Sequence, residues 1–180
     1  MIRPDGSGQR QITFSRGSDI DPTWFPDGSR IAFETDRNGN VDIYSVDSNG
    51  ANSLRLTAAP ERELDPEWSP IGNRIAYTVE SEQSGQIWVM NGDGSDKKQL
   101  TGAPNLNENP NWSPDGRRIV FDSDRAEAGN LEIYSMRADG TDVRRITDSP
   151  ALDALPAYSP DGKQIVFVSD RARKDSGSST

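Results

Sequence analysis

The stretch WSPDGRRIVF, residues 112–121, decides the fold because close copies of it recur along the chain. WFPDGSRIAF begins at Trp24, WSPIGNRIAY at Trp68 and YSPDGKQIVF at Tyr158, so the aromatic residues are 44, 44 and 46 positions apart. Each copy combines an aromatic residue, a turn built around Pro and Gly, and the alternating apolar residues of a strand. A period of about 40–45 residues is typical of one four-stranded β-propeller blade. The sequence therefore predicts an all-β propeller array.

Each of the first three repeats contains four short segments that we interpret as strands. In the second repeat the four predicted strands include, in order, DPEW (65–68), RIAY (74–77), QIWVM (86–90) and KQLT (98–101). The Ile of the second strand and the aromatic residue two positions later share one face, which we predict to pack against the next blade. Hairpin turns with a left-handed glycine are predicted between the third and fourth strands, around Gly50, Gly94 and Gly140.

The repeats divide the chain into blade units, all within a single domain over residues 1–180. The units cover about residues 14–57, 58–101, 102–147 and 148–171. Residues 1–13 read as an N-terminal strand, because DGSGQRQIT resembles the end of a fourth strand, and residues 172–180 read as a polar tail. We therefore predict about four blades, of which three are complete and the fourth is split or incomplete. An orphan N-terminal strand of this kind completes the last sheet in closed propellers.

The repeated string SPDGxxIxFxSDR, a following strand such as EIYSM, and an ending such as DGTDVRRIT resemble the TolB-type repeat, a WD-like propeller unit. The resemblance covers Met1 to Arg171. It implies six to eight blades around an axial channel, in proteins that are often exported by bacteria and that act as protein-binding platforms or as gating domains of serine peptidases. The family's namesake is periplasmic and docks a peptidoglycan-associated lipoprotein at the channel mouth.

Composition excludes several classes of function. A net charge of −9 disfavours nucleic acid as a partner, and the chain contains no cysteine for thiol chemistry. Histidine is absent as well, which removes Ser-His-Asp catalysis, and we predict that the protein is not an enzyme. No apolar run approaches the length of about 20 residues that a membrane span needs, so membrane insertion is not expected. We expect a periplasmic or other extracytoplasmic location if a signal peptide has been removed.

The best candidate site is acidic. In propellers the segment leading into each first strand lies at the mouth of the channel, and here it carries aligned acidic and amide side chains, namely Asp19, Asp21, Glu63, Asp65, Glu108, Asn109 and Asp153. Carboxylates that converge on an axis focus a negative potential that attracts a cation or a basic peptide segment. The alternative is that Asp before Pro is a common turn choice on a merely solvated face.

Other repeated residues favour structural roles. We predict that the aromatics Trp24, Trp68, Trp112 and Tyr158 form the core between blades, rather than a ligand cage. We predict that Asp36, Asp124 and Asp170 order the loop after the second strand by accepting backbone N–H groups, rather than forming a ring of charges. Strings such as Asp93-Gly94-Ser95-Asp96 echo calcium loops without the EF-hand spacing, so no cofactor is predicted and calcium remains an open alternative.

Three functions fit these observations. The first is a non-catalytic platform for protein–protein interaction or assembly, with a basic protein partner bound at the acidic channel mouth. The second is a propeller associated with a serine hydrolase or peptidase, which gates substrate access. The third is a self-assembling structural unit, and a homodimer that closes an eight-bladed ring would pair the N-terminal strand with the unfinished last blade.

Overall fold

Consecutive strands pair into antiparallel sheets, one sheet for each repeat. A computed structural model describes residues 1–82, 84–102 and 104–171. Blade 1 contains β1 (Asp19–Trp24), β2 (Arg30–Thr35), β3 (Asp42–Asp47) and β4 (Leu54–Arg55). Blade 2 contains β5 (Arg62–Trp68), β6 (Arg74–Ser81), β7 (Ser84–Asn91) and β8 (Lys98–Gln99). Blade 3 contains β9 (Asn107–Trp112), β10 (Arg118–Ser123), β11 (Glu132–Arg137) and β12 (Arg144–Arg145). Blade 4 contains β13 (Asp153–Tyr158) and β14 (Ile165–Ser169).

The turns have the backbone geometry that the repeated motif predicts. Gly72 has a φ of 71° in the turn between β5 and β6, and Gly94 has a φ of 85° in the turn between β7 and β8. Both angles lie in the left-handed region, which glycine enters without a steric penalty. The fourth strand of each complete blade is only two residues long. Among the described residues there is no helix of the length and apolarity required to cross a membrane.

The hydrophobic core lies between adjacent blades. Trp68 is 3% exposed, and together with Ile75 and Tyr77 it packs against Ala32 and Ile43 of blade 1. The Ile and aromatic residues of the second strand therefore face the preceding blade, and the prediction that they face the next blade is wrong. Alternation identifies which residues share a face, but it does not say on which side of the sheet the neighbouring blade lies. The junction between blades 2 and 3 repeats this arrangement around Trp112.

The first and last aromatics of the series depart from the predicted core. Trp24 is 48% exposed, because no blade precedes β1 among the described residues. The prediction that all four aromatics are buried between blades is therefore wrong at Trp24. Tyr158 is half-buried, and its hydroxyl lies 3.1 Å from the Ser135 hydroxyl of blade 3.

The predicted N-terminal strand is an irregular segment. Residues 9–13 form no strand, because the described residues provide no third strand with which they could pair. Ile12 nevertheless packs against the Tyr44 face of blade 1, and a Cβ at Gly50 would lie 2.8 Å from the Ile12 carbonyl oxygen. A Cβ at Gly94 would likewise lie 2.7 Å from the Leu56 carbonyl oxygen. Ile12 thus occupies the place that Leu56, the residue directly after β4, occupies at the junction of blades 1 and 2. The predicted tail, residues 172–180, lies outside the described residues.

Candidate functional site

A β-bulge interrupts each first strand at the residue before its proline. The bulge residues are Asp21, Asp65, Asn109 and Leu155, with φ between 47° and 54°. Asp and Asn tolerate this left-handed conformation, whereas a leucine there is an outlier. The bulges and the residues after them line one cleft of about 340 Å³, bounded by the first strands of all the blades. We call it the axial cleft.

The structure brings only some of the predicted site residues to the axial cleft. Asp21, Asp65 and Asn109 line it. Residues two apart normally share a face of a strand, but the left-handed bulge changes this alternation. The residues two positions earlier accordingly do not line the cleft, and the expectation that they converge on it is wrong for Asp19, Glu63 and Asp153.

These remaining predicted residues lie inside or between blades. Arg37 binds Asp19 at 2.8 Å, and Arg171 binds Asp153 in the same way. Glu63 is 2% exposed. Glu108 also lies away from the cleft lining and packs over Gly85 of blade 2, where a Cβ would be 2.7 Å from its Cγ.

Three further acids belong to the cleft or its wall, and the sequence reading did not single them out. Glu34 Oε1 accepts a 2.5 Å hydrogen bond from the Asp65 backbone N–H, and Asp122 Oδ2 accepts one of 2.9 Å from the Leu155 N–H. Glu67 accepts hydrogen bonds from Thr23 at 3.0 Å and from Asn111 at 3.3 Å. The sequence does contain a signal for Glu34 and Asp122, because each is an acid within an apolar second strand. Blade 2 has Thr78 at the equivalent position.

The carboxylates around the cleft are close enough to perturb one another. One oxygen from each of Asp21, Glu34 and Asp65 lies within 4.8 Å of the others, and we call this set the acidic triad. Burial raises the pKa of Glu34 to about 7; the Asp65 N–H opposes this, and the charges of Asp65 and Asp21 add to it. Burial also raises the pKa of Asp65. A cation at the triad would relieve this cost of burying negative charge.

The third blade extends this acidic environment. Burial raises the pKa of Asp122 to about 6. Burial, together with the charges of Asp122 and Asp65, raises the pKa of Glu108 to about 7. Oxygen ligands of this kind suit a hard cation such as calcium, and they equally suit the ammonium or guanidinium group of a peptide.

Two of the three predicted loop acids, Asp36 and Asp124, accept backbone N–H groups of the segment before the first strand. Asp36 Oδ1 accepts the Ser18 N–H at 2.7 Å, and Asp124 Oδ1 accepts the Leu106 N–H at 2.8 Å. Asp170 uses its own backbone N–H to bind the Leu152 carbonyl at 3.2 Å. In one of the calcium-like strings, Asp93 Oδ1 accepts the Ser95 N–H at 2.9 Å and so closes the turn on itself.

These features define a β-propeller repeat domain whose first strands meet at an acidic axial cleft. The chain belongs to the TolB β-propeller family, since the family model described as "TolB beta propeller domain" matches residues 46–176.

Solved structures of TolB proteins share the fold. TolB from Acinetobacter baumannii is 25% identical with a TM-score of 0.78, over 92% of this chain and 41% of that protein. TolB from Agrobacterium tumefaciens is 36% identical with a TM-score of 0.74, over 83% of this chain and 53% of that protein. A TolB homolog from Chlorobium luteolum is 43% identical over 47 residues, which are 26% of this chain and 11% of the relative. The chain therefore spans about half, or less, of the length of these relatives.

Proposed function

We propose that this chain is a non-catalytic platform that binds a basic segment of a protein partner at the axial cleft. The observation that carries the proposal is the acidic triad, in which the exposed Asp21 opens to solvent while Glu34 is buried beneath it. A lysine or arginine side chain would pair with Asp21 and Asp65 and would recover part of the desolvation cost of Glu34.

Two further features support a peptide ligand. The prolines Pro22, Pro66, Pro110 and Pro156 line the cleft and hold its walls rigid, which limits the entropy lost on binding. The net charge of −9 would also steer a basic partner toward the molecule. By the TolB resemblance, we place this activity in the periplasm.

Calcium is the second ligand that we propose for the triad. Asp21, Glu34 and Asp65 each offer one oxygen, which is the donor type that calcium prefers. Calcium and a basic segment would then compete for the same oxygens.

Calorimetry with a short lysine-rich peptide that contains no arginine tests the proposal. Asp21→Asn combined with Asp65→Asn should weaken binding by at least about ten-fold. The matched control combines Glu127→Gln with Asp148→Asn, two acids outside the cleft lining that change the net charge equally. Equal loss of affinity in both double variants would assign the binding to net charge alone and refute the site.

A role in assembly is a second candidate, favoured by the exposed apolar residues at both ends of the blade series. Trp24 is exposed on β1, and Val166 and Val168 are exposed on β14. At the inner junctions, the residues equivalent to Trp24 and Val166 are buried between two adjacent blades. A homodimer joining the two ends would close an eight-bladed ring. Light scattering should then give twice the chain mass, and a monomeric mass would refute the dimer.

A further inference from the structure

An arginine after the second strand occupies the same place in three blades. The Arg37 guanidinium carbon lies 5.3 Å from the centre of the Phe33 ring and 4.6 Å from that of Tyr44. In blade 3, the corresponding Arg125 carbon lies 5.1 Å and 4.8 Å from the rings of Phe121 and Tyr134. Arg171 repeats the contact with Phe167 at 5.6 Å. Distances of this size are typical of cation–π contacts.

The same guanidinium also binds the polar residue that precedes the bulge by two positions. Arg37 Nη2 lies 2.8 Å from Asp19 Oδ1, and Arg125 Nη2 lies 2.5 Å from Asn107 Oδ1. Arg171 binds Asp153 in the same way. Each of these blades thus surrounds its arginine with the same set of side chains, which we call an arginine socket. The socket consists of a polar residue at the start of the first strand and an aromatic residue of the second strand, joined in blades 1 and 3 by an aromatic residue of the third strand.

Blade 2 has the socket but not the arginine. The equivalent residues are Glu63, Tyr77 and Trp88, while Ser81 stands where the other blades have arginine. A cavity of about 530 Å³ is lined by Glu63, Tyr77, Ser81 and Trp88. Arg62 is adjacent in sequence, but its guanidinium binds Glu80 and it does not line this cavity.

Glu63 is a buried carboxylate that forms no ion pair among the described residues. Arg55 contributes positive charge near it, but the Arg55 guanidinium binds Asp42. It is 2% exposed, and the Ala59 N–H reaches Glu63 Oε2 only at 3.4 Å. Burial raises the pKa of Glu63, and the Thr57 hydroxyl and the Ala59 N–H lower it only in part. Lys97 also lines the cavity, and its charge favours ionised Glu63, but its side-chain nitrogen donates to the Gly94 carbonyl. A buried acid of this kind is costly unless a cation pairs with it.

We propose that the blade 2 socket binds a guanidinium group, supplied in trans by an arginine of a protein partner. The group would lie over Tyr77 and Trp88 and pair with Glu63, as Arg37 does with its own socket. Guanidinium fits better than ammonium because it is planar, stacks on aromatic faces and binds carboxylates with two parallel N–H groups. The proposal is independent of the axial cleft, since none of these three residues lines that cleft.

The first test titrates the protein with methylguanidinium and, separately, with methylammonium at equal ionic strength. The indole N–H resonance of Trp88 and the calorimetric heat should report saturable binding of methylguanidinium and at least about ten-fold weaker binding of methylammonium. Equal affinity for the two cations would overturn the proposal, because a simple electrostatic site does not discriminate between them.

Three substitutions make the test specific. Ser81→Arg supplies the missing side chain and should abolish methylguanidinium binding while raising Tm, whereas Glu127→Gln, an exposed acid outside the socket, should leave binding unchanged. Arg37→Ser should open a second socket, so that the stoichiometry rises and methylguanidinium restores the Tm lost by the variant. Undiminished methylguanidinium binding in a folded Ser81→Arg variant would overturn the proposal, because the socket would then already be occupied.

The source of the guanidinium is decided by comparing ligands. An arginine-containing peptide should bind at least about ten-fold more tightly than methylguanidinium, because backbone contacts add to those of the side chain. Tighter binding of free arginine or agmatine than of the peptide would contradict a protein partner and assign the socket to a small guanidine compound.

Discussion

The Glu34 carboxylate of blade 1 accepts a 2.5 Å hydrogen bond from the backbone N–H of Asp65 in blade 2. Asp65 is a bulge residue with a φ of 52°, so its N–H cannot continue a regular ladder. Asp122 serves Leu155 in the same way at the junction of blades 3 and 4. One buried acid therefore both joins two blades and contributes to the acidic triad, which couples the stability of the junction to the charge of the proposed site.

Replacing Glu34 should change how stability depends on pH. Its pKa of about 7 in the folded protein exceeds the ordinary glutamate value of 4.5, so the folded state holds the proton more tightly. The contribution of Glu34 to the free energy of unfolding is therefore fully present below about pH 4.5. It is lost as the pH rises toward 7, and the loss is at most about 3 kcal/mol. Glu34→Gln retains an oxygen for the Asp65 N–H but does not titrate.

Chemical denaturation at about pH 5 and about pH 7.5 measures this effect. The parent protein should lose more stability between the two values than Glu34→Gln does. Glu127→Gln is the control, because this exposed acid lies outside the acidic triad. The same loss in parent and Glu34→Gln would show that Glu34 does not carry the perturbed pKa.

The position of each tryptophan in the blade series should decide its contribution to stability. Trp68 is 3% exposed between blades 1 and 2, so Trp68→Ala should lower the free energy of unfolding by about 3–5 kcal/mol. Trp24 holds the equivalent place in blade 1 but is 48% exposed, so Trp24→Ala should cost less than about 1 kcal/mol. Denaturant unfolding of both variants gives the comparison, and equal losses would contradict the described packing of blades 1 and 2.

A substitution at the bulge residue of blade 4 should stabilise the protein. Leu155 has a φ of 54° and is 55% exposed, so it carries backbone strain without much burial in return. Leu155→Asn reproduces the residue found at the blade 3 bulge and should raise the free energy of unfolding by about 1 kcal/mol. Leu152→Asn, at a position without positive φ, should bring no such gain. A loss of stability in Leu155→Asn would show that the leucine side chain, not the backbone, dominates there.

The repeat made most of the fold predictable. The spacing of Trp68 and Trp112 set the blade unit, and the glycine of each turn followed from the need for a left-handed backbone. The direction of the core face was not predictable, because alternation is unchanged when a sheet is viewed from its other side. The exposure of Trp24 likewise depends on a neighbour that its own repeat does not encode.

The candidate site was only partly predictable for a similar reason. Asp21 and Asp65 reach the axial cleft because their left-handed bulges change the strand alternation, and that same change takes Asp19 and Glu63 away from it. Glu34 was missed because its role depends on a backbone N–H in the next blade. A contact between repeats of this kind has no signature in the spacing within one repeat.

Amide chemical-shift mapping during titration with a lysine-rich peptide that contains no arginine tests the central claim most directly. The largest shifts should occur at Asp21, Asp65 and Asn109, and they should diminish when salt is added. Largest shifts at the fourth strands β4, β8 and β12, with little change at the three bulge residues, would contradict binding at the axial cleft.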